Sequence, residues 1–345
     1  MRGWFSKESG GSSPLFDTTE PVLLAHPAAH PSYRHPVDVS ALGAGGRTLW
    51  FMNSSGRGFG ILGMSALLVG ACQVPDPSQA FAPGSTVGAN RVNRVWYGSG
   101  ERAWMDIVEP GGSVRGVVAY VHGGSWMAGS AAWTEVHPAV QELADKDTVV
   151  ASIEYRLVPQ TDEGGQVHDV LEAVRFLQDT YGAPIILAGH SAGGHIAALA
   201  GLAEAMIAGV VLLAAPGDLA DLAKNPHRVF GYTLSGLVSA ALGCSAVDPA
   251  GELRCCAAQL RAGDILRRLD HAAPPAYIAY GGVDEIVLPL YARELAEVWE
   301  QAVGFHNVWI DEVEGAGHQV QGVNLQALKD FVSGVFAGAI VRGRG

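Results

Sequence analysis

Long apolar stretches are missing from this 345-residue chain. Without a run of 18 consecutive apolar residues, a multi-span membrane protein is excluded. Cysteine is scarce, and four in the whole chain cannot make a small disulfide-held scaffold. Positive charge is in deficit too, with 22 Lys+Arg against 34 Asp+Glu and a formal net charge of −12. Nucleic-acid binding needs a basic footprint that releases counterions, and no basic cluster occurs, so a nucleic-acid partner is excluded. What the chain does have is 48% hydrophobic residues and 45 glycines. That composition rules out wholesale disorder and collagen. It leaves enough length for one large α/β domain or two small ones with a sizeable core. A soluble or tethered globular enzyme fits these bounds.

The first ninety residues change character twice. Residues 1–51 carry Pro14, Pro21, Pro27, Pro31 and Pro36 with little periodicity, and read as a disordered extension. His26, His30 and His35 lie among prolines with no Cys or carboxylate at ligand spacing, so no metal site is expected. From Met52 a short polar start with Arg57 leads into an apolar run of about a dozen residues with small residues at its end, a secretory signal pattern. Its last residues, Val69-Gly70-Ala71-Cys72, resemble the lipobox of a bacterial lipoprotein. That resemblance implies cleavage before Cys72, lipidation of its thiol, and a membrane tether at the cell envelope. Secretion, or a cytoplasmic protein with a buried helix here, are the alternatives. A signal belongs at the very N-terminus, so Met52 is the expected true start and residues 1–51 a mis-assigned one. Residues 73–90, rich in Pro, Ser, Gly and Ala, read as a flexible tether, with the folded domain spanning 91–340. In an oxidising compartment Cys244 would pair with Cys255 or Cys256; three reduced thiols is the competing reading.

Beyond residue 91, strands and helices alternate. Strands are expected at 94–97, 104–108, 116–121, 148–153, 184–188, 209–213, 276–280 and 307–310. Helices are expected at 132–145, 165–180, 192–206, 289–303 and 322–337. Several strands are continuous apolar runs, as in Gly116-Val-Val-Ala-Tyr-Val121, which requires cover on both faces. The fold class is therefore α/β, with a mostly parallel eight-stranded sheet between helices and no internal repeat.

The sharpest motif is Gly189-His190-Ser191-Ala192-Gly193-Gly194, between an apolar strand and an Ala-rich helix. A Gly-x-Ser-x-Gly in that setting is a nucleophile elbow, which projects the serine hydroxyl at a helix N-terminus. Ser191 is the candidate nucleophile. His122-Gly123-Gly124-Ser125-Trp126 directly follows the 116–121 strand. Its glycines expose N–H groups, and with the N–H of Ala192 they form a candidate oxyanion hole. His122 reads as a brace for this loop and Trp126 as a pocket wall. Asp284, after the 276–280 strand, is the candidate triad acid, with Glu285 as fallback. His318, in Gly315-Ala-Gly-His318, is the candidate base. The order Ser191, Asp284, His318 is the α/β-hydrolase order. His168-Asp169 reads as an ion pair or helix-face packing rather than a second catalytic pair.

Together with the strand end Glu154-Tyr155-Arg156-Leu157-Val158-Pro159, these motifs resemble the esterase branch of the α/β-hydrolases related to hormone-sensitive lipase. They are also similar to those of bacterial lipases, feruloyl esterase-like proteins and kynurenine formamidases. The resemblance covers roughly residues 91–340. It implies the same triad, an oxyanion hole from Gly123, Gly124 and Ala192, and neither metal nor organic cofactor. The activity implied is hydrolysis of short- to medium-chain acyl esters, with arylformamidase as the alternative and an inactive hydrolase-fold binding protein as a remote one. A small cap is expected within 216–272, carrying Phe230, Tyr232 and Leu234 over the serine; ordinary helix packing is the competing reading. The partner expected is a small-molecule ester, and the oligomeric state stays open.

Overall fold

The computed structural model describes residues 86–87, 90–244 and 257–342. The extension 1–51, the signal-like segment with Cys72, most of the tether, and Cys255 and Cys256 lie outside the described residues. Cys244 is disulfide-bonded.

Eleven strands and eight α-helices alternate along the described chain. A two-residue β1 (Thr86–Val87) precedes β2 (Asn90–Trp96), β3 (Trp104–Val108) and β4 (Gly116–Val121). A one-turn α1 (Pro138–Gln141) leads to β5 (Thr148–Ile153) and the long α2 (Glu163–Tyr181). Then come β6 (Ile185–His190), α3 (Ala192–Ala203) and β7 (Ile207–Leu213). Next are α4 (Leu219–Lys224), a hairpin of β8 (Arg228–Val229) and β9 (Tyr232–Thr233), α5 (Leu234–Ala241) and α6 (Ala257–Ala262). The chain continues through β10 (Ala276–Gly281), α7 (Pro289–Val303), β11 (Val308–Val313) and α8 (Leu325–Phe336).

The main sheet runs β1-β2-β3-β5-β4-β6-β7-β10-β11. Strands β1 to β3 are antiparallel, β3 meets β5 antiparallel, and β5-β4-β6-β7-β10-β11 are parallel throughout. Nine strands therefore replace the eight expected. The extra one is β1, two β-favouring residues in a Pro- and Ser-rich stretch that pair with the edge of β2.

Alternation along each strand sends successive side chains to opposite faces. On one face Val117, Ala119, Val121, Ile185 and Leu187 pack with α2, α3 and α7. On the other Val118, Tyr120, Ile186 and Ala188 pack with α1 and α8. Burying a Val or Ile gains roughly 1.5–3 kcal/mol, so a polar residue on either face would cost heavily, and the run must be apolar throughout.

One expected helix breaks. Over 132–145 a 3₁₀ turn (Trp133–Glu135) and α1 replace a continuous helix. Val136 and His137 leave helical geometry, with ψ 133° and 131°, and at His137 the ring of Pro138 bars the helical conformation. Pro138 instead opens α1 at its first turn, and Pro289 does the same for α7. Asp162 caps α2 by accepting the Gly165 N–H at 2.9 Å. Among the described residues no helix is long and apolar enough to cross a membrane.

Candidate active site

The site lies at the C-terminal ends of the parallel strands, where the chain leaves β4, β6, β10 and β11. Ser191 occupies the turn between β6 and α3 with φ 54° and ψ −124°, a conformation a side-chain-bearing residue holds only under constraint. The constraint is the close approach that two glycines permit. A Cβ on Gly189 would meet the Gly193 carbonyl at 2.3 Å, and one on Gly193 would meet the Val121 carbonyl at 2.2 Å. Only glycines fit there, so the elbow is tight enough to hold the serine in place.

His318, in the loop after β11, brings its Nε2 to 2.8 Å from the Ser191 hydroxyl, which donates to it. Its Nδ1–H donates to Asp284 Oδ2, also at 2.8 Å. Asp284 is buried, and its other oxygen accepts the N–H groups of Ile286 (2.8 Å) and Val287 (3.1 Å). The carboxylate is thus fixed by the turn that opens toward α7. Three residues up to 127 positions apart form one hydrogen-bonded line.

The loop after β4 passes beside Ser191. A Cβ on Gly123 would lie 3.3 Å from the Ser191 Cβ. None of the amides of Gly123, Gly124 and Ala192 donates to an acceptor among the described residues. They are therefore free to bind an incoming oxygen. Residues 154 and 155 hold this loop from behind. Tyr155 stacks on His122 with ring centroids 4.3 Å apart and donates its hydroxyl to the His122 carbonyl at 2.7 Å. Glu154 pairs with Arg102 and accepts the Ala131 N–H at 2.9 Å. Burial alone would raise the Glu154 pKa. The His122 hydrogen bond and charge, with Arg102, outweigh it and hold the carboxyl below its ordinary value.

A cavity of about 910 Å³ opens over Ser191 and His318. Phe230 and Val229 from the hairpin and Ile286 form an apolar part of its wall, while Glu135, Gln141 and Gln321 supply polar groups.

Comparison with known proteins agrees with this architecture. The BD-FAE family model matches residues 105–217. A probable isoprenylcysteine alpha-carbonyl methylesterase of Oryza sativa subsp. japonica is 37% identical over 119 residues, 32% of this chain and 28% of that protein. Neutral cholesterol ester hydrolase 1 of Rattus norvegicus is 38% identical over 102 residues, 27% of this chain and 25% of that protein. The chain thus spans about a quarter of the length of these relatives. Among solved structures, a truncated carbohydrate esterase from gut microbiota superposes with TM-score 0.59 at 18% identity, covering 74% of this chain and 98% of that one. A hormone-sensitive lipase homologue from a metagenome library gives 0.57 at 21%, covering 73% and 89%. The chain has the α/β-hydrolase fold.

Not every expected pocket residue of this α/β-hydrolase fold lies in the cavity. Trp126 is buried and does not line it. Ser125 and Trp126 both have positive φ (53° and 63°), which turns the chain so that the indole packs edge-on to His195 at 5.6 Å, in the core. Tyr232 is 55% exposed and off the cavity wall, on the outer side of a hairpin whose tip carries Phe230. Leu234 is buried in the core with α5. Within 216–272, then, α4 and α5 pack against the hydrolase core, and Val229 and Phe230 of the hairpin reach the cavity. Cys72, the expected lipidation site, lies outside the described residues. Glu285 is solvated, its side chain 81% exposed. Asp169 makes a paired hydrogen bond to Arg156, at 2.8 and 2.6 Å, which is the ion-pair reading.

Sequence inspection assigned no role to Arg102, Glu154 or Tyr155, although the last two stand in the strand-end motif. The signal for Glu154 and Tyr155 was a charged residue and an aromatic placed straight after a fully buried strand, where a polar group needs a buried partner.

Proposed function

We propose that this α/β-hydrolase is a serine carboxylesterase acting on short- to medium-chain acyl esters through an acyl-enzyme. The observation that carries the reading is the unbroken line Ser191–His318–Asp284, at 2.8 Å for each bond, opening into the 910 Å³ cavity.

In this mechanism the Ser191 oxygen attacks the ester carbonyl while His318 Nε2 takes the hydroxyl proton. Asp284 keeps the imidazole proton on Nδ1 and stabilises the imidazolium. The carbonyl oxygen gains the negative charge and is met by the amides of Gly123, Gly124 and Ala192; one such donor is worth about 10²–10³ in rate. Collapse breaks the bond to the alcohol oxygen, which leaves with the proton from His318. Water then attacks the acyl-serine with His318 as base, releasing the acid and restoring the hydroxyl.

Esters are also what the relatives named above act on, by their names. The apolar wall at Val229, Phe230 and Ile286 suits an acyl chain. The formal charge of −12 disfavours strongly anionic substrates by long-range repulsion. The signal-like segment and Cys72 support a place at the cell envelope, tested by metabolic labelling with a fatty-acid analogue in the full chain and its Cys72→Ala variant.

The deciding experiment compares kcat/KM for p-nitrophenyl butyrate and N-formylkynurenine in the full chain and in Ser191→Ala. Ester turnover that disappears in Ser191→Ala supports the proposal. A preference for the formamide would replace it with an arylformamidase. Ester turnover that survives in Ser191→Ala would remove Ser191 from the chemistry.

A further inference from the structure

Two histidines near the candidate base are not used by the mechanism above. His190 is the residue just before Ser191, at the end of β6; His137 caps α1, on the other wall of the cavity. Both are buried. His190 Nε2 lies 2.8 Å from the main-chain carbonyl of His318, and His137 Nε2 lies 2.9 Å from that of Gln319. A carbonyl oxygen only accepts, so each ring must carry its proton on Nε2. For His137 the opposite nitrogen confirms the tautomer, because Nδ1 accepts the Ala139 N–H at 3.2 Å. The rings stack on each other at 5.9 Å, and His190 lies 5.1 Å from the imidazole of His318.

We propose that His190 and His137 are positioning residues that clamp the base loop by donating to the consecutive carbonyls of His318 and Gln319. The proposal rests on the esterase reading of the same site. The clamp joins β6, α1 and the loop after β11, the three places whose relative position sets the distance from His318 Nε2 to Ser191 Oγ. The loop needs holding. Val320, a β-branched residue, sits at φ 47° and is fully buried, a conformation that persists only where its surroundings enforce it. The clamp must also be uncharged, because His318 becomes an imidazolium beside it during each turnover. Burial first, and then the charge of His318, push the His190 pKa down to about 4; burial lowers that of His137. The titratable groups around His190 are His318, His137 and Asp284. At neutral pH both rings therefore remain uncharged, each with its one proton on the Nε2 that faces a carbonyl.

Two measurements on the full chain test this. Nitrogen-15 NMR of the imidazoles at pH 7 should show both His137 and His190 neutral and protonated on Nε2. Either ring as an imidazolium, or protonated on Nδ1, would overturn the clamp. Kinetics on p-nitrophenyl butyrate, normalised to serine sites titrated with a fluorophosphonate, should show kcat about 10- to 100-fold lower in His190→Ala and His137→Ala, with KM within about twofold. Gln places an amide N–H near the reach of Nε2, so His190→Gln and His137→Gln should recover most of kcat. Merely structural rings would cut the number of titratable sites but leave kcat per site unchanged, which refutes the proposal. If one Ala variant fails to fold, the other position, the Gln variants and the tautomers still decide. If the wild type shows no Ser191-dependent hydrolysis, the esterase reading fails, while the tautomers judge the clamp separately.

Discussion

Gly123→Ala separates the chemistry proposed for the loop after β4 from its folding. The new Cβ would stand 2.8 Å from the His190 carbonyl oxygen, 3.1 Å from His190 Nδ1 and 3.3 Å from the Ser191 Cβ. Ordinary contact begins near 3.4 Å, so the loop must retreat by about 0.6 Å. The atoms it meets belong to the elbow, which cannot yield because Gly193 is itself pressed against the Val121 carbonyl. The retreat therefore falls on the Gly123 and Gly124 amides. A misplacement of 1 Å costs about 10²-fold, and outright loss of a donor about 10²–10³-fold. A fall in kcat of roughly 10- to 100-fold follows, with KM little changed, because the donors act on the developing oxyanion rather than on the bound ester. Overpacking should cost about 1–3 kcal/mol in stability. Gly182→Ala is the control. Gly182 caps α2 at φ 59° with open space around it, so the change should cost about 1–2 kcal/mol and leave kcat alone. Steady-state kinetics on p-nitrophenyl butyrate and thermal unfolding of both variants make the comparison. A Gly123→Ala enzyme whose kcat stays within twofold of wild type would refute the assignment of this loop.

Asp284→Asn should lower kcat by about 10⁴-fold, because the amide favours the wrong imidazole tautomer, while circular dichroism stays as in wild type. Equally slow turnover by Glu285→Gln would contradict the choice of acid. Acid should destabilise the fold. Burial lowers the pKa of both His190 and His195 to about 4 from 6.5, so the unfolded chain takes up these protons first as pH falls. Stability is complete above about pH 7 and declines toward pH 4, by up to about 3 kcal/mol per ring. Urea unfolding at pH 7 and 5 measures this, and His195→Gln should flatten the slope; equal slopes would contradict the burial argument. Phe230→Ala should raise KM for longer acyl esters by roughly tenfold at most, whereas Tyr232→Ala should leave it unchanged. Equal effects at the two positions would place the hairpin differently over the cavity.

The amino-acid sequence alone determined the parallel strands and the loops that carry the site. A strand buried on both faces is mostly apolar and pairs what polar groups it carries, so 116–121 and 148–153 are legible to the residue, as is 104–108, whose one buried charge, Asp106, is paired with Arg94. The elbow was legible for a similar reason. Its glycines lie within five residues of the chain; the demand on Gly189 is local, from the Gly193 carbonyl, while that on Gly193 comes from the Val121 carbonyl of β4. Chain order then pointed to Asp284 and His318, although their approach to Ser191 is a tertiary fact. Short-range pattern failed where a neighbour or a turn overruled it. Pro138 broke the helix expected over 132–145, and β1 formed only because β2 offered an unpaired edge. Trp126 stands next to the proposed oxyanion glycines in sequence, but two successive positive φ values send its ring into the core. Phe230 and Tyr232 are two residues apart and both largely exposed, yet only Phe230 borders the cavity. Residue type tells what a side chain can do. Which way the backbone aims it, and whether a partner such as the carbonyl of His318 waits within reach, is decided only when distant segments pack together.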